Sequence, residues 1–594
     1  MNLPTDRIKA LRSSMKAKGI DAWIVHSADP HLSEYLPAYW QQRVWLSGFT
    51  GSVGTVLVTD DFAGLWVDSR YWEQASKQLN GSGIELMRAG EAGVPTLTEY
   101  LSLSLKPSAV LGFNPDMVSL KTANIYRDEL ESKGININTE EDLLQPLWTD
   151  RSKLPSQKIF KHDKNYYDLD ASQKIKLVRD ELKLDDGGWH LVSSLDDIAW
   201  ILNLRGNDVA YNPVFLAHLA IFKDKVVLFI DLEKVDENIA TYLEGHGVQT
   251  ANYDDLKEFI SSMDISKLMV DPDRVALGSV SAYKGGIVEI INPSRLLKSR
   301  KTDHELSHIR LTMEEDGAAL CEFFAWFEAA FSKGEEISEL TINEKLLEYR
   351  SKRKGYVSPS FATIAGFNAN GAMPHYRATE ESFSLINGDG FLLIDSGAQY
   401  LGGTTDITRV VPVGVVSEEQ VKDYTYVLKA HIQLAMAEFP VGYPSPLLDS
   451  IARLPLWKAG LEYGHGTGHG VGYFLNVHEG PQVIAYKAYK MNHTEMYGGM
   501  ITSNEPGVYR PGKWGVRIEN LVANIPAQKT EFVETLKFET LTLCPIETSC
   551  VDIGLLDCAE REWLNKYHEQ VRERLSRHLS GQALDWLNRK TKAI

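Results

Sequence analysis

Between Phe391 and Asn520, the residues Asp395, Asp406, His469, Glu505 and Glu519 put acid and imidazole groups on short apolar segments, where a stable protein seldom strands uncompensated charge. Asp395 follows Phe391-Leu392-Leu393-Ile394, and Asp406 sits in Thr404-Thr405-Asp406-Ile407-Thr408-Arg409-Val410-Val411; both stretches read as strands. Closing them through Tyr400-Leu401-Gly402-Gly403 makes a hairpin. If its centre falls near Tyr400-Leu401, the two aspartates lie opposite each other, and like charges so placed repel unless a cation sits between them. Four carboxylates with one imidazole form a hard, oxygen-rich set, suited to Mn²⁺ or a similar first-row ion rather than to one that prefers thiolate. Two ions about 3.5–4 Å apart, bridged by carboxylates and a water, are the arrangement that activates water for hydrolysis.

The other three groups also sit at strands or turns. His469 lies in His465-Gly466-Thr467-Gly468-His469-Gly470-Val471-Gly472, too rich in glycine for a comfortable helix, which excludes the two-histidine zinc helix. These glycines do not spell a phosphate-binding loop either. Glu505 ends Met500-Ile501-Thr502-Ser503-Asn504 and is followed by Pro506-Gly507, a turn signal that presents the carboxylate at a strand end. In Gly515-Val516-Arg517-Ile518-Glu519-Asn520-Leu521-Val522, alternation sets Val516, Ile518 and Val522 on one face and Arg517 with Glu519 on the other, toward the site. A single buried aspartate is more often an ion-pair or turn residue than a ligand; the weight here comes from five such groups together.

At these residues the chain resembles the M24 metallopeptidases, and within them the long, three-domain form of aminopeptidase P. The resemblance is carried by Pro374-His375-Tyr376, Leu393-Ile394-Asp395-Ser396-Gly397-Ala398-Gln399-Tyr400, Gly403-Thr404-Thr405-Asp406-Ile407-Thr408-Arg409, His465 to Gly472, Asn476-Val477-His478-Glu479-Gly480-Pro481, Asn504-Glu505-Pro506-Gly507 and Arg517-Ile518-Glu519-Asn520. It implies a pita-bread catalytic domain holding two divalent ions, Mn²⁺ first, with Co²⁺ or Zn²⁺ as alternatives. Asp406 and Glu519 would bridge them, Asp395 would complete one site, and His469 with Glu505 the other. Glu505 would also shuttle a proton, His478 would stabilise the developing oxyanion, and His375, His465 and Arg517 would shape the pocket around proline. The expected reaction is hydrolysis of the N-terminal Xaa-Pro bond of peptides with proline second, by a homodimer. A prolidase restricted to dipeptides and a non-catalytic peptide-binding member of the fold are the alternatives. The intact ligand set weighs against the second.

Positioning such a site takes more than one folded unit, and 594 residues are too many for one core. The fold class read here is α/β and α+β: two tandem creatinase-type N-terminal domains, 1–153 and 154–302, then a catalytic domain with a C-terminal extension, 303–594. The first domain begins with a helix through Ile8 to Met15, a strand Asp21 to Val25, strands Gly54 to Val58 and Gly64 to Val67, and a helix from Tyr71. A second copy follows. Gly188 to Ser194 echoes the first strand, Asp197 to Gly206 echoes Arg43 to Gly48, and Ala217 to Phe222 with Val226 to Ile230 echoes the paired strands. The join falls near Asp150-Arg151-Ser152-Lys153-Leu154-Pro155, and the polar run Lys298-Ser299-Arg300-Lys301-Thr302-Asp303 opens the third domain. Long helices are expected at Asp303 to Phe331 and Thr341 to Ser351, and Trp563, Leu564, Tyr567, Val571 and Leu575 recur at helical spacing near the end.

Composition narrows the function classes. A net charge of −18 argues against nucleic acid or an anionic membrane as partner. The start, Met1-Asn2-Leu3-Pro4-Thr5-Asp6-Arg7, leads into no apolar signal core, and no later run approaches the ~20 residues of a membrane span, so a cytoplasmic location is expected. Cys321, Cys544, Cys550 and Cys558 form no C-x-x-C pair and read as packed or free thiols.

Overall fold

The computed structural model describes residues 3–263 and 267–594, so Met1 and Asn2 of the N-terminal stretch read above lie outside the described residues. The chain divides into two compact units, one running to His162 and resuming at Leu169–Arg295, the other formed by Asp163–Asp168 with Leu296–Ile594.

The first unit carries the expected duplication as two six-stranded sheets of the same topology. In the first, the strands lie in the order Glu85–Arg88, Ala63–Val67, Thr55–Thr59, Ala22–His26, Val110–Phe113, Asn136–Asn138. In the second the order is Val248–Ala251, Val226–Ile230, Ala217–Ile221, Gly188–Val192, Lys267–Val270, Gly286–Glu289. Counted along the chain, both run fourth, third, second, first, fifth, sixth. Strands Ala63–Val67, Gly188–Val192, Ala217–Ile221 and Val226–Ile230 are buried along their whole length, so they carry no alternation of exposed and buried positions. The segment echoed at Arg43 and at Asp197 is helical in both copies, Gln42–Ser47 and Leu195–Leu202.

The second unit is built on helix Asp303–Ser332, opened by a capping box between Thr302 and Glu305, and on helix Glu339–Ser351. Strand Gly390–Ser396 pairs with Ile364–Phe367 on one side and Ile407–Val413 on the other. A separate six-stranded sheet runs Glu438–Pro440, Glu534–Thr540, Asn520–Lys529, Ile501–Asn504, Gly468–Gly470, Glu479–Ile484. The polar run at Lys298 is not a solvated linker: Lys298 and Lys301 are buried, their ammonium groups 2.9 and 2.7 Å from the Glu479 carboxylate. The last long helix, Cys558–Leu575, buries Leu564, Tyr567, Val571 and Leu575 against the core of this unit. Cys321, Cys544 and Cys550 are buried free thiols and Cys558 is exposed. No helix among the described residues is long and apolar enough to cross a membrane.

Two sequence expectations need correcting. The hairpin centre lies one residue later than the register that would oppose the aspartates: Tyr400 pairs with Gly403 and Asp395 with Thr408. Asp406 is therefore a diagonal neighbour of Asp395 on the same face, because side chains repeat every second residue. The stretch around Glu519 is also not one strand. It breaks after Trp514–Arg517 and resumes at Asn520–Lys529, leaving Ile518 and Glu519 at the junction.

One buried ion pair anchors the hairpin. Arg350 donates to both carboxylate oxygens of Asp316 at 2.8 and 3.1 Å and to the Ser396 carbonyl at 3.4 Å, while the Tyr400 hydroxyl donates to Asp316 at 2.9 Å. Both helices thus grip the first arm of the hairpin beside Asp395. Asp316→Ala would leave a buried guanidinium unpaired, and urea unfolding should show a loss of about 3–5 kcal/mol; a loss below about 1 kcal/mol, the level of a surface pair, would refute this anchoring role.

Candidate metal centre

Asp395 lies one residue before the end of its strand and Asp406 immediately before the facing one, so the strand ladder gives way where both carboxylates are needed. His469 occupies the middle of the three-residue strand Gly468–Gly470. Its flanking glycines answer to close backbone approach: a Cβ on Gly468 would sit 1.9 Å from the Ser503 carbonyl, and one on Gly470 2.1 Å from that of Glu479. Glu505 follows strand Ile501–Asn504, its N–H donating to the Thr467 carbonyl at 2.8 Å. Glu519 donates its N–H to the Thr408 carbonyl at 3.1 Å.

These elements bring the five expected ligands close to one another. One donor atom each from Asp406, His469 and Glu519 lie within 4.8 Å of one another. His469 Nε2 is 3.6 Å from Asp406 Oδ2 and 3.4 Å from Glu505 Oε1. Asp395 joins through Arg517, whose Nη2 donates to Oδ2 at 2.6 Å. Arg517 also donates through Nε to the Thr408 hydroxyl at 3.1 Å, and that hydroxyl donates to Glu519 Oε2 at 2.7 Å, so Arg517 and Glu519 do face the same place. Ser503 donates its hydroxyl to Glu505 Oε1 at 3.0 Å and accepts the His469 N–H at 2.9 Å.

Of the remaining predicted residues, His478 touches this set, His465 reaches it through Tyr509 and Arg517, and His375 is placed near it only through its neighbour Pro374. The His478 ring stands edge-on to that of His469, centroids 4.3 Å apart. His465 Nδ1 donates to the Gly466 carbonyl at 2.7 Å, so its Nε2 accepts from the Tyr509 hydroxyl at 2.8 Å, and Tyr509 in turn accepts from Arg517 Nη1 at 2.7 Å. His375 is half-buried next to Pro374, whose carbonyl lies 3.4 Å from Arg517 Nη2. Sequence reasoning missed Tyr509 and Thr408. Both act through another residue, and the only signal was their position beside Glu505 and Asp406.

The electrostatics call for cations. Burial, then the charges of Glu519, Asp395 and Glu505, push the Asp406 carboxyl well above the carboxylate range, and burial with Glu505 and Asp395 does the same to Glu519. Burial lifts Glu505 to about 7, Asp395 adding to the rise and Arg517, His478 and the Ser503 hydroxyl opposing it. For Arg517, burial opposes the charge, but Tyr509, Asp395, Glu505 and Glu519 outweigh it and hold the guanidinium ionised. Divalent metal ions fit these residues on two further observations. Asp395 Oδ1 and Glu519 Oε1 are buried acceptors without a hydrogen-bond partner. His469 Nδ1 donates to the Gly470 carbonyl at 2.9 Å, which turns the lone pair of Nε2 toward the carboxylates of Asp406 and Glu505, a repulsive arrangement that a metal ion converts into coordination.

Comparison with known proteins agrees with this geometry. The profile of metallopeptidase family M24 matches residues 307–524, that of the C-terminal region of the same peptidases 534–594, and creatinase/prolidase N-terminal domain profiles match 7–143 and 150–305. Aminopeptidase P2 of Arabidopsis thaliana is 39% identical, aligned over 97% of this chain and 86% of its own. A probable Xaa-Pro aminopeptidase P of Coprinopsis cinerea is 38% identical over 99% and 98%. The crystal structure of X-prolyl aminopeptidase from Caenorhabditis elegans, described as a cytosolic enzyme with a di-nuclear active site, superposes with a TM-score of 0.95 at 33% identity and covers both chains completely. Two creatinase-type domains thus precede a pita-bread catalytic domain, and the chain belongs to metallopeptidase family M24, in its aminopeptidase P branch.

Proposed function

We propose that this chain is a dinuclear metal-dependent aminopeptidase that hydrolyses the N-terminal Xaa-Pro bond of peptides. The observation that carries the reading is the convergence of Asp395, Asp406, His469, Glu505 and Glu519 in one place, in a chain matched end to end by a di-nuclear X-prolyl aminopeptidase. Asp406 and Glu519 are assigned as bridging ligands, Asp395 as ligand to one ion, and His469 with Glu505 as ligands to the other. The oxygen-rich donor set favours Mn²⁺, with Co²⁺ or Zn²⁺ as alternatives.

Bound there, two divalent ions supply Lewis-acid activation of water and of the scissile carbonyl. The protein's own groups do the rest. Glu505, at the strand end beside the other carboxylates, is the candidate to take the proton given up by the activated water and pass it on to the leaving proline nitrogen. His478 donates to the oxyanion as it develops. The Arg517–Tyr509–His465 chain fixes the His465 ring in the tautomer with hydrogen on Nδ1, so that this wall of the proline pocket is preorganised. Proline offers such a pocket a locked ring and an amide without N–H, which sets it apart from other second residues.

The domain division at 153 and 302 belongs to the same reading; the two sheets of equal topology and the separate profile matches support it. Residues Asp163–Asp168, although inside the second domain so defined, pack with the catalytic unit. A homodimer is also proposed: Leu447, Leu454 and Trp457, exposed at helical spacing, offer an apolar face for it to bury. The cytoplasmic assignment rests on the C. elegans enzyme being described as cytosolic.

Replacing Asp406 by Ala should abolish turnover and lower the number of ions bound per chain by mass spectrometry or elemental analysis; unchanged metal content would remove it from the ligand set. His478→Ala should keep the metal and lose turnover by ~10²–10³-fold, the effect of deleting one oxyanion donor.

Substrate length separates this reading from a dipeptidase. An aminopeptidase leaves the side beyond proline open, whereas a dipeptidase must recognise the proline carboxylate and exclude a continuing chain. The Mn²⁺-loaded protein should release the first residue from tripeptides and longer peptides with proline second, and discriminate against alanine there by at least the ~10–200-fold that filling an apolar pocket provides. Cleavage of Gly-Pro and Ala-Pro with no cleavage of Xaa-Pro-Xaa peptides would establish a prolidase instead.

A further inference from the structure

The two proposed glutamate ligands leave the sheet from opposite sides of one residue pair. Strand Ile501–Asn504 is antiparallel to Asn520–Lys529, with Asn504 directly opposite Asn520 at the last rung of the ladder. Beyond that rung the chains diverge, one into Glu505 and the other back into Glu519. The ladder itself holds neither glutamate; their N–H groups bond instead to the Thr467 and Thr408 carbonyls, and the spacing of the two carboxylates depends also on what fixes the last rung.

His431, fully buried on helix Glu418–Ala435, closes this gap. Its Nδ1 is 3.1 Å from the Asn504 carbonyl, its Nε2 is 3.1 Å from Asn520 Nδ2, and its own carbonyl accepts from Asn504 Nδ2 at 2.9 Å. The direction of every bond is settled by what lies behind. Arg409, which can only donate, gives Nη2 to Asn520 Oδ1 at 2.8 Å and Nη1 to the Glu519 carbonyl at 2.6 Å. Asn520 must then turn its amide nitrogen to His431, Nε2 must accept, and Nδ1 must carry the hydrogen it gives to the Asn504 carbonyl. Burial, reinforced by the Arg409 charge and opposed by hydrogen bonding to the Asn504 and Ile518 backbone, pushes the imidazole pKa down to about 3, so the ring stays neutral. The other three-atom donor–acceptor side chains are poor substitutes: the ring is rigid and spans the two asparagines with a donor at one end and an acceptor at the other.

We propose that His431 is a positioning residue for the dinuclear centre, a clamp on Asn504 and Asn520 that sets the distance between the Glu505 and Glu519 carboxylates. It touches neither substrate nor metal. The inference rests on the ligand assignments above and extends them to a residue that no motif in the chain marks. Outer partners that orient metal ligands usually cost about 10–100-fold in metal affinity when removed.

The test is Co²⁺ binding to metal-free full-length protein, followed by calorimetry and by the visible absorption of the bound ion. His431→Leu should bind at least one of the two ions about 10–100-fold more weakly, with a changed Co²⁺ spectrum. Asn520→Ala, which keeps the imidazole but removes its donor, should move affinity and spectrum the same way by a smaller amount, and carries the test if His431→Leu does not fold. Leu587→Ala, a fully buried side chain on the last helix, supplies a comparably destabilised control whose Co²⁺ affinity and spectrum should match wild type. Wild-type binding and spectra in the folded His431 and Asn520 variants, alongside lost binding in Glu519→Gln, would overturn the clamp alone. Wild-type binding in Glu519→Gln as well would overturn the ligand assignment and the clamp with it.

Discussion

Mutual repulsion among buried carboxylates is the constraint on which this architecture depends. At an effective dielectric of about 20, two like charges about 4–5 Å apart repel by roughly 3–4 kcal/mol. Asp406, Glu505 and Glu519 each feel more than one such neighbour, with a single buried guanidinium, Arg517, among them. No unfolded or half-folded chain would hold these groups together. They are held by backbone that is committed elsewhere, and the energy of that commitment is what makes a strong cation site.

That commitment is spread over several independent devices. Asp316 and Arg350 tie two helices to the hairpin next to Asp395. Glycines at 468 and 470 let the His469 strand lie against its neighbours at backbone distance. Arg409 gives its guanidinium to carbonyls, including that of Glu519, to the Asn520 side chain and to the Tyr567 hydroxyl. Around the carboxylates themselves Thr408, Ser503 and Tyr509 aim single oxygens and fix tautomers. Each of these is a short-range contact, yet together they set separations that a productive metal pair requires to within a fraction of an ångström.

The N-terminal half illustrates how fold and function part company. Two sheets of identical strand order arise from sequence echoes that are audible mainly in the central strands, where burial on both faces demands unbroken apolar runs. The duplicated topology brings no second set of ligands: among the described residues, the one group of three or more acidic, histidine or cysteine side chains spaced to hold an ion is in the catalytic unit. Function in this chain is located by its site and not by its repeated fold.

Much of the site was legible in the sequence because a charge inside an apolar strand is an anomaly that neighbours alone reveal. Asp395 after four apolar residues, Asp406 among β-branched neighbours, and Glu505 before a Pro-Gly turn all announce themselves locally. The repeat in the first unit was legible for the same reason, since apolar periodicity is a property of a short window. What the tertiary structure decided was register and partnership. The hairpin centre differed by one residue from the position that would oppose the two aspartates, and the strand through Glu519 proved to be two strands, because turn geometry and sheet pairing depend on contacts outside the window. Arg517 meets Asp395 across 122 positions, Thr408 meets Glu519 across 111, and His431 meets Asn504 and Asn520 across 73 and 89. A side chain's chemistry is written in its own residue type; the donor or acceptor it finds at that range is chosen only when the chain packs.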